Sequence, residues 1–367
     1  MSLQLNGTDG VTFNDGSEQW AAASPIGTKN LIINGNMQIA QRGTSATGLT
    51  GAGYHTVDRF LNNIAAAGTW TSTQDTDVPS GQGFANSHKL TCTATASAVV
   101  LATMYMMEGQ MLQHLKKGTA NAESLTLSFW VKSNKTGTYI NELYDNDNTR
   151  QISKSYTINS ADTWEKKTLT FAGDTIGTLD NDNTRSIDLY FWFGANSTYA
   201  GGTLNTSWAS AVNANRAAGV VNLADTIGNY INITGVQLEI GDTATPFEVM
   251  PYDMQLARCQ RYYEAISKTA IQDNICNAHC WNTTTAYGVL QYSRKRAAPS
   301  ITLTATDYIV RFGGTTNNVT STNISQFTVD RCQFGLVTSG LTVGYGAWLA
   351  FDSDAVTDQK IEINAEL

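Results

Sequence analysis

The stretch Leu125–Ser133, which reads LTLSFWVKS, alternates apolar and polar residues along most of its length. Successive side chains of a β-strand point to opposite faces of the sheet, so Leu125, Leu127, Phe129 and Val131 share one face. An apolar face of this kind must be covered by a second layer of structure. The stretch therefore predicts a strand that lines the core of a β-sandwich.

Similar strand-like runs lie on both sides of this stretch. The clearest are Trp164–Phe171, Ile187–Phe193 and Ile231–Ile240, with polar segments between them. Ala102–Lys117 also has some helical character, and we expect a strand there followed by a short helix or loop. Short strands at this spacing are typical of a sandwich or jelly roll. We predict an all-β fold with a jelly-roll β-sandwich over residues 31–250.

The remainder of the chain predicts three further segments. Residues 1–30 hold only a strand-like run and an Asn-Asp-Gly turn. Because an isolated hairpin is marginal in water, we expect them to form an N-terminal segment that attaches to another protein. Pro251 is suited to the first turn of a helix, which predicts a helical connector at residues 251–265. Residues 266–367 are again strand-like, with turns marked by glycine, and predict a smaller C-terminal β domain.

Composition argues against two classes of partner and describes the folding environment. The net charge is −8, whereas binding of a nucleic-acid backbone requires clustered lysine and arginine. The chain contains no apolar run of about 20 residues, the length that would insert into a membrane. Its first residues lack the basic and apolar parts of a signal peptide, which predicts synthesis in a cytoplasm. Five scattered cysteines favour reduced thiols over a disulfide framework.

Motifs for catalysis are missing from the sequence. It contains no nucleophile elbow, no HExxH zinc motif and no phosphate-binding glycine loop. A glycosidase needs only two carboxylates, but no pair among the 31 acidic residues is singled out by its context. We therefore expect a protein that is not an enzyme and that carries no cofactor.

One hexapeptide, DNDNTR, occurs twice, at residues 145–150 and 180–185. Its aspartates could offer oxygen ligands to Ca²⁺, but the glycine and distal glutamate of an EF-hand loop are missing. Asn and Asp side chains also cap turns without a metal. We therefore predict no metal site, with weak calcium candidates at Asp145, Asp147, Asp180 and Asp182. The CNAHC motif at residues 276–280 has too few ligands for a zinc site.

Aromatic residues give the remaining functional signal, with eight tryptophans and fifteen tyrosines in a chain of low charge. Flat rings at loop tips can stack on the apolar faces of sugars. Trp70, Tyr199, Trp208 and Trp281 have loop-like polar surroundings and are our candidate glycan-binding residues. The alternative is that such rings pack in the core or against neighbouring subunits.

The segment Lys29–Gly43, KNLIINGNMQIAQRG, resembles the opening of phage and prophage tail-fibre proteins. Tyr54–Phe60, Ile233–Gly241 and Cys259–Glu264 continue that resemblance in the same order, so that it covers residues 29–264. It implies a jelly roll similar to carbohydrate-binding modules, on a virion appendage that is usually trimeric. It supplies no binding residues, because a fold does not specify a site.

These observations together predict a phage virion protein, a tail-fibre or receptor-binding subunit that adheres to host-surface glycan. We expect a homotrimer on the particle surface, joined to other virion proteins through its N-terminal segment. One alternative is a capsid-fibre, decoration or adaptor protein with a purely structural role. The other is a polysaccharide depolymerase.

Overall fold

The computed structural model describes residues 11–12, 18–19, 29–268, 273–303, 308–352 and 359–367. The chain divides into two compact units, Met1–Pro251 (unit 1) and Tyr252–Leu367 (unit 2). Most of the predicted attachment segment, residues 1–30, lies outside the described residues. Its described part comprises residues 29–30 and a pairing of two short strands, β1 (Val11–Thr12) and β2 (Glu18–Gln19).

Unit 1 is built from strands that are joined mainly by turns. These are β3 (Ser45–Leu49), β4 (Gly53–Tyr54), β5 (Phe60–Ala65), β6 (Thr69–Asp75), β7 (Ser87–Ala94), β8 (Val100–Glu108), β9 (Leu125–Ser133), β10 (Gly137–Asp145), β11 (Arg150–Ile158), β12 (Glu165–Phe171), β13 (Arg185–Ala195), β14 (Ala209–Ser210) and β15 (Tyr230–Ile240). Its helical segments are α1 (Ser197–Ala200) and the 3₁₀ turns Gly109–Met111, Gln113–Leu115, Asn213–Asn215 and Leu223–Asp225.

The strands of unit 1 form two antiparallel sheets that pack face to face. One has the order β14-β11-β10-β13-β8-β5-β4 and the other β12-β9-β15-β7-β6-β3. Phe129 of β9 packs edge-on against Phe191 of β13, with ring centroids 5.2 Å apart, and so links the two sheets through the core. The predicted all-β jelly-roll sandwich is confirmed, as is the buried apolar face of Leu125–Ser133.

The segment that carries the tail-fibre resemblance has a structural role in unit 1. The Asn30 side chain donates to the Val236 carbonyl (3.1 Å) and accepts from the Leu238 amide (3.1 Å), where β15 is irregular. Gly35 is required here, because an added Cβ would lie 2.0 Å from the Val236 carbonyl oxygen. Asn34 is buried and holds the loop through its bond to the Ile39 carbonyl. These contacts stabilise the sandwich.

The segment Ala102–Lys117 shows the predicted combination of strand and short helix. Strand β8 ends at Glu108, and the two 3₁₀ turns follow it directly.

Among its described residues, unit 2 contains one helix, α2 (Tyr252–Gln260), followed by strands. They are β16 (Tyr263–Ser267), β17 (Asn274–Cys280), β18 (Thr285–Gln291), β19 (Ser300–Thr302), β20 (Tyr308–Phe312), β21 (Thr315–Asn318), β22 (Ser321–Ser325), β23 (Arg331–Val337), β24 (Gly346–Phe351) and β25 (Lys360–Asn364).

Two antiparallel sheets surround a single apolar core in unit 2. The smaller has the order β16-β25-β19 and the larger β21-β20-β24-β17-β18-β23-β22. The residues predicted as a connector, 251–265, correspond to α2 and the first part of β16. Because β16 pairs with β25, the last strand of the chain, these residues belong to the fold of unit 2.

Candidate binding groove

The larger sheet of unit 2 has one buried and one exposed face. On β18, Leu290 is 1% exposed and belongs to the core, whereas its neighbour Val289 is 52% exposed. Cross-strand partners share a face, so Gln333, the partner of Val289, also points outward. Strand alternation therefore places Tyr287, Val289 and Gln291 on one solvent-facing surface.

A groove crosses this surface where two neighbouring strands separate. β17 and β18 pair only from Ala278↔Gly288 to Cys280↔Ala286, which is three pairs for two seven-residue strands. The groove has a volume of about 870 Å³. It is lined by Ile275, Cys276, Asn277, Ala278, His279, Tyr287, Gly288, Val289, Gln291, Gln326, Thr328, Arg331, Cys332 and Gln333.

The groove is rich in neutral hydrogen-bonding groups. Asn277, Gln291, Gln326 and Gln333 each offer an amide that both donates and accepts, and Thr328 adds a hydroxyl. Such groups match the hydroxyls of a saccharide, each of which is also both donor and acceptor.

Three aromatic rings lie together at one side of the groove. Trp281, just beyond β17, is 64% exposed. Its ring centroid lies 6.1 Å from that of His279 and 6.4 Å from that of Tyr287, both of which line the groove. The Tyr287 hydroxyl accepts a hydrogen bond of 2.8 Å from the Asn323 amide, which fixes its ring. The Trp281 ring is therefore free to stack on a ligand beside a preformed polar surface.

Two thiols also line the groove. Burial raises the pKa of Cys276 to about 12, with a smaller contribution from Cys332. Burial likewise raises the pKa of Cys332 to about 11. Both groups are therefore protonated near neutral pH, which makes them poor nucleophiles and poor metal ligands. Among the described residues, no group of three or more His, Cys, Asp or Glu side chains is placed to hold a metal ion.

Of the four candidate glycan-binding residues, Trp281 is the one that the structure places in an open aromatic cluster. The prediction for Trp70 is wrong. It lies in β6 and not in a loop, its side chain is fully buried, and its indole donates to the Ala67 carbonyl (2.7 Å). A ligand cannot reach this ring.

Tyr199 and Trp208 are half-buried by contacts within unit 1. Trp208 donates its indole N–H to the Ala172 carbonyl (2.7 Å), and the Lys117 ammonium lies 5.3 Å from its ring centroid. Tyr199 packs 5.6 Å from Trp192. These contacts give both rings a structural role.

The sequence reasoning missed a buried cluster around Arg216, on the outer face of the larger sheet of unit 1. The Arg216 guanidinium donates to both oxygens of the Glu142 carboxylate, at 2.8 and 3.1 Å. Four rings lie 4.4–5.7 Å from the guanidinium carbon, those of Tyr144, Tyr190, Trp192 and Tyr199.

Glu142 in this cluster is a structural carboxylate. Burial raises its pKa, while Arg216 acts in the opposite direction. A raised pKa often marks a general acid, but both Glu142 oxygens are already hydrogen-bonded, one of them also to the Trp192 indole (2.9 Å). The cluster fastens the connection between β13 and β15 to the sheet.

The two DNDNTR loops lie next to each other, since the Asp147 carboxylate accepts from the Asp180 backbone amide (3.0 Å). Asp145 is buried and forms an ion pair with Lys117. The Lys117 ammonium also lies 3.0 Å from Asp174 and donates to the Gly177 carbonyl (2.8 Å). This ammonium thus occupies the position between oxygen ligands where a cation would bind. Asp182 is engaged differently, capping its own turn through the Thr184 amide (2.8 Å).

Comparisons with known proteins find resemblance in structure alone. No protein-family model and no curated protein sequence matches the chain. A solved structure of the enzymatically active domain of bacteriophage CBA120 tailspike protein 4 is similar over 58% of this chain and 21% of that chain, with 14% identity and a TM-score of 0.31. The chain thus matches about a fifth of the tailspike protein.

Two carbohydrate-binding modules are also among the similar solved structures. The module TmCBM61, solved with β-1,4-galactotriose, is 8% identical over 58% of this chain and 100% of its own, with a TM-score of 0.31. The family 11 module of a Clostridium thermocellum cellulase is 15% identical over 60% of this chain and 99% of its own, with a TM-score of 0.28. In the described part of this chain, no helix is long and apolar enough to cross a bilayer.

Proposed function

We propose that the protein is a glycan-binding adhesion subunit whose binding site is the groove of unit 2. The observation that carries the proposal is the exposed Trp281 ring, held beside His279 and Tyr287 at a groove lined by amides. Sugar rings present apolar C–H faces and polar edges, so an aromatic ring next to amide donors and acceptors complements both. Large exposed apolar side chains on a folded protein commonly mark an interaction surface.

Binding without catalysis is supported by the chemistry of the same groove. Among the described residues that line it, none is an aspartate or glutamate that could form a carboxylate pair for glycoside hydrolysis. The Cys276 and Cys332 thiols are protonated at neutral pH and are not activated nucleophiles. We propose that the protein holds a saccharide and does not cleave it.

The biological setting that we propose is the surface of a phage particle. It is supported by the sequence resemblance of residues 29–264 to tail-fibre proteins. In this proposal unit 1 is the scaffold, the N-terminal segment joins other virion proteins, and three copies form a homotrimer that adheres to host-surface glycan. Several weak sites on one rigid assembly would raise avidity strongly without any new contact.

Glycan-array binding with the purified full chain tests the proposed function. We expect binding of at least one host-type oligosaccharide, and Trp281→Ala should weaken it roughly tenfold through loss of ring stacking. Tyr252→Ala is a matched control, because Tyr252 is also exposed in unit 2 but does not line the groove. If no saccharide binds, or if Trp281→Ala binds like the unaltered chain, the proposed site is wrong.

Two further measurements separate this proposal from its alternatives. Purified protein should compete with phage for adsorption to host cells, whereas a purely structural decoration protein would not compete. Host polysaccharide should keep its length during incubation with the protein. Shortening of the polymer would instead identify a depolymerase.

A further inference from the structure

The described residues that line the groove of unit 2 carry a positive charge, although the chain as a whole is acidic. Arg331 is the one arginine or lysine among the fourteen described residues that line it, and none of these fourteen is acidic. The chain as a whole carries a net charge of −8. A groove whose permanent charge is positive, on an acidic protein, selects for a ligand that carries the opposite charge.

The backbone of Arg331 is held in place while its side chain stays exposed. Arg331 begins β23 opposite Gln291 of β18. Its amide donates to the Thr328 hydroxyl (3.1 Å), and its carbonyl accepts from the Thr328 amide (2.9 Å). Among the described residues, no carboxylate lies within 4.0 Å of its guanidinium. The side chain therefore projects from a fixed point with its donors available.

Three other cations of unit 2, Lys295, Arg296 and Arg311, are engaged by the protein itself. Lys295 is buried and forms an ion pair with Glu264 at 2.6 Å. Arg296 donates to the carbonyls of Ala365 (2.6 Å) and Glu366 (2.7 Å). Arg311 lies over the ring of Trp348. Arg331 differs from these three, because among the described residues its guanidinium has no ion pair, hydrogen bond or ring contact of this kind.

The chemistry of this group specifies a class of ligand. A guanidinium is planar and presents paired N–H donors that match the two oxygens of a carboxylate or a phosphate. The neighbouring amides of Gln291 and Gln333 suit sugar hydroxyls, and the ring of Tyr287 suits a sugar face. We propose that the groove binds an anionic saccharide, and that Arg331 contacts its carboxylate or phosphate group. This inference rests on the proposed function and narrows its ligand.

Titration of the full chain with three matched sets of oligosaccharides tests the inference. The sets are neutral, uronic-acid-containing and phosphate-bearing, and their responses show which anion the groove accepts. We expect one of the anionic sets to bind about tenfold more tightly than the neutral set. That preference should shrink as salt concentration rises, because exposed charges are screened.

Variants at Arg331 locate the contact. Arg331→Gln should lower affinity for the anionic saccharide to the level of the neutral set and leave neutral binding unchanged. Arg331→Lys should retain part of the preference, because the charge stays while the paired donors are lost. Arg294→Gln is the matched control, since Arg294 is an exposed arginine of unit 2 that does not line the groove.

The outcomes distinguish this inference from the proposed function. Equal binding of neutral and anionic sets would overturn the inference and leave glycan binding in place. An equal loss in Arg294→Gln would also overturn it, because overall charge and not a local contact would then set the preference. Binding of no set at all would overturn both proposals.

Discussion

Two arginines on the outer faces of two sheets have opposite surroundings. Arg216 in unit 1 is enclosed by four aromatic rings and forms a bidentate ion pair with the buried Glu142 carboxylate. Arg331 in unit 2 is exposed beside a groove whose described lining holds aromatic and amide groups but no carboxylate. Arg216 thus meets its partners within unit 1, whereas no carboxylate among the described residues lies within 4.0 Å of the Arg331 guanidinium.

The described tryptophans of the two units also differ in exposure. Trp70 and Trp192 of unit 1 are fully buried. In unit 2, by contrast, Trp281, Tyr345 and Trp348 are 45–64% exposed. Side chains that have their partners within the chain stabilise the fold. Exposed side chains remain available to contact a ligand. We infer that unit 1 serves as a scaffold and that unit 2 binds the ligand.

The largest expected effect concerns two tryptophans that looked alike in sequence. Trp70→Ala should lower the free energy of unfolding of unit 1 by about 4 kcal/mol, because it leaves a large cavity in the core. Trp281→Ala, at an exposed site, should change the free energy of unfolding by less than about 0.5 kcal/mol. Calorimetry of the full chain measures both, and the transition shifted by Trp70→Ala is that of unit 1. If the two changes lowered the free energy of unfolding by similar amounts, the assignment of unit 1 as the scaffold and unit 2 as the ligand-binding part would be contradicted.

The next largest effect is expected when the Arg216 cluster is disrupted. Arg216→Ala should lower the free energy of unfolding by about 3 kcal/mol, because Glu142 is left buried without its partner. Adding Glu142→Gln should recover part of the loss, since the uncompensated charge is removed. Arg331→Ala is the control and should be nearly neutral. Chemical denaturation followed by circular dichroism gives all three values, and a neutral Arg216→Ala would show that the cluster does not hold unit 1 together.

A smaller effect depends on pH and on His88, which lies inside unit 1. Burial lowers the pKa of His88 to about 4, with a smaller contribution from His55. The unfolded chain therefore takes up a proton below its ordinary pKa of 6.5, while the folded chain does not until near pH 4. Stability should thus be complete above pH 6.5 and fall by about 2 kcal/mol between pH 7 and 4.5.

Variants at two histidines test the origin of this acid sensitivity. His88→Gln cannot take up the proton and should flatten the dependence of unfolding free energy on pH in that window. His279→Gln, at an exposed position of unit 2, should leave the dependence as it is. An unchanged slope in His88→Gln would assign the sensitivity to other groups.

Local alternation made the sandwich predictable, and the same rule explains where prediction failed. The strand Leu125–Ser133 and its buried face could be predicted because its inward side chains are mostly apolar. Trp70 was misread because its inward neighbour in β6 is Ser72, a polar residue that bonds to the His88 ring (3.1 Å). A buried polar network of this kind hides the apolar period of a strand.

The groove and the Arg216 cluster depend on strand register, which the sequence alone does not specify. The groove joins residues of β17, β18 and β23 with Gln326 and Thr328. The sequence contains one indication of the Arg216 cluster. Tyr190–Phe193 is apolar at every position, which indicates that both faces of β13 are covered. The identity of the covering residue could not be read from that run.

The smallest expected effect is that of calcium on the two acidic loops. Added Ca²⁺ or excess EDTA should shift the unfolding temperature by less than about 1 °C, because a ligand that does not bind the folded state cannot stabilise it. The physical reason is Lys117, whose ammonium already neutralises Asp145 and Asp174 between the loops. Thermal unfolding of the full chain in the two solutions measures the shift. A clear rise with Ca²⁺ would show that Asp147, Asp180 and Asp182 bind the ion despite this ammonium, and unit 1 would then hold a ligand site of its own.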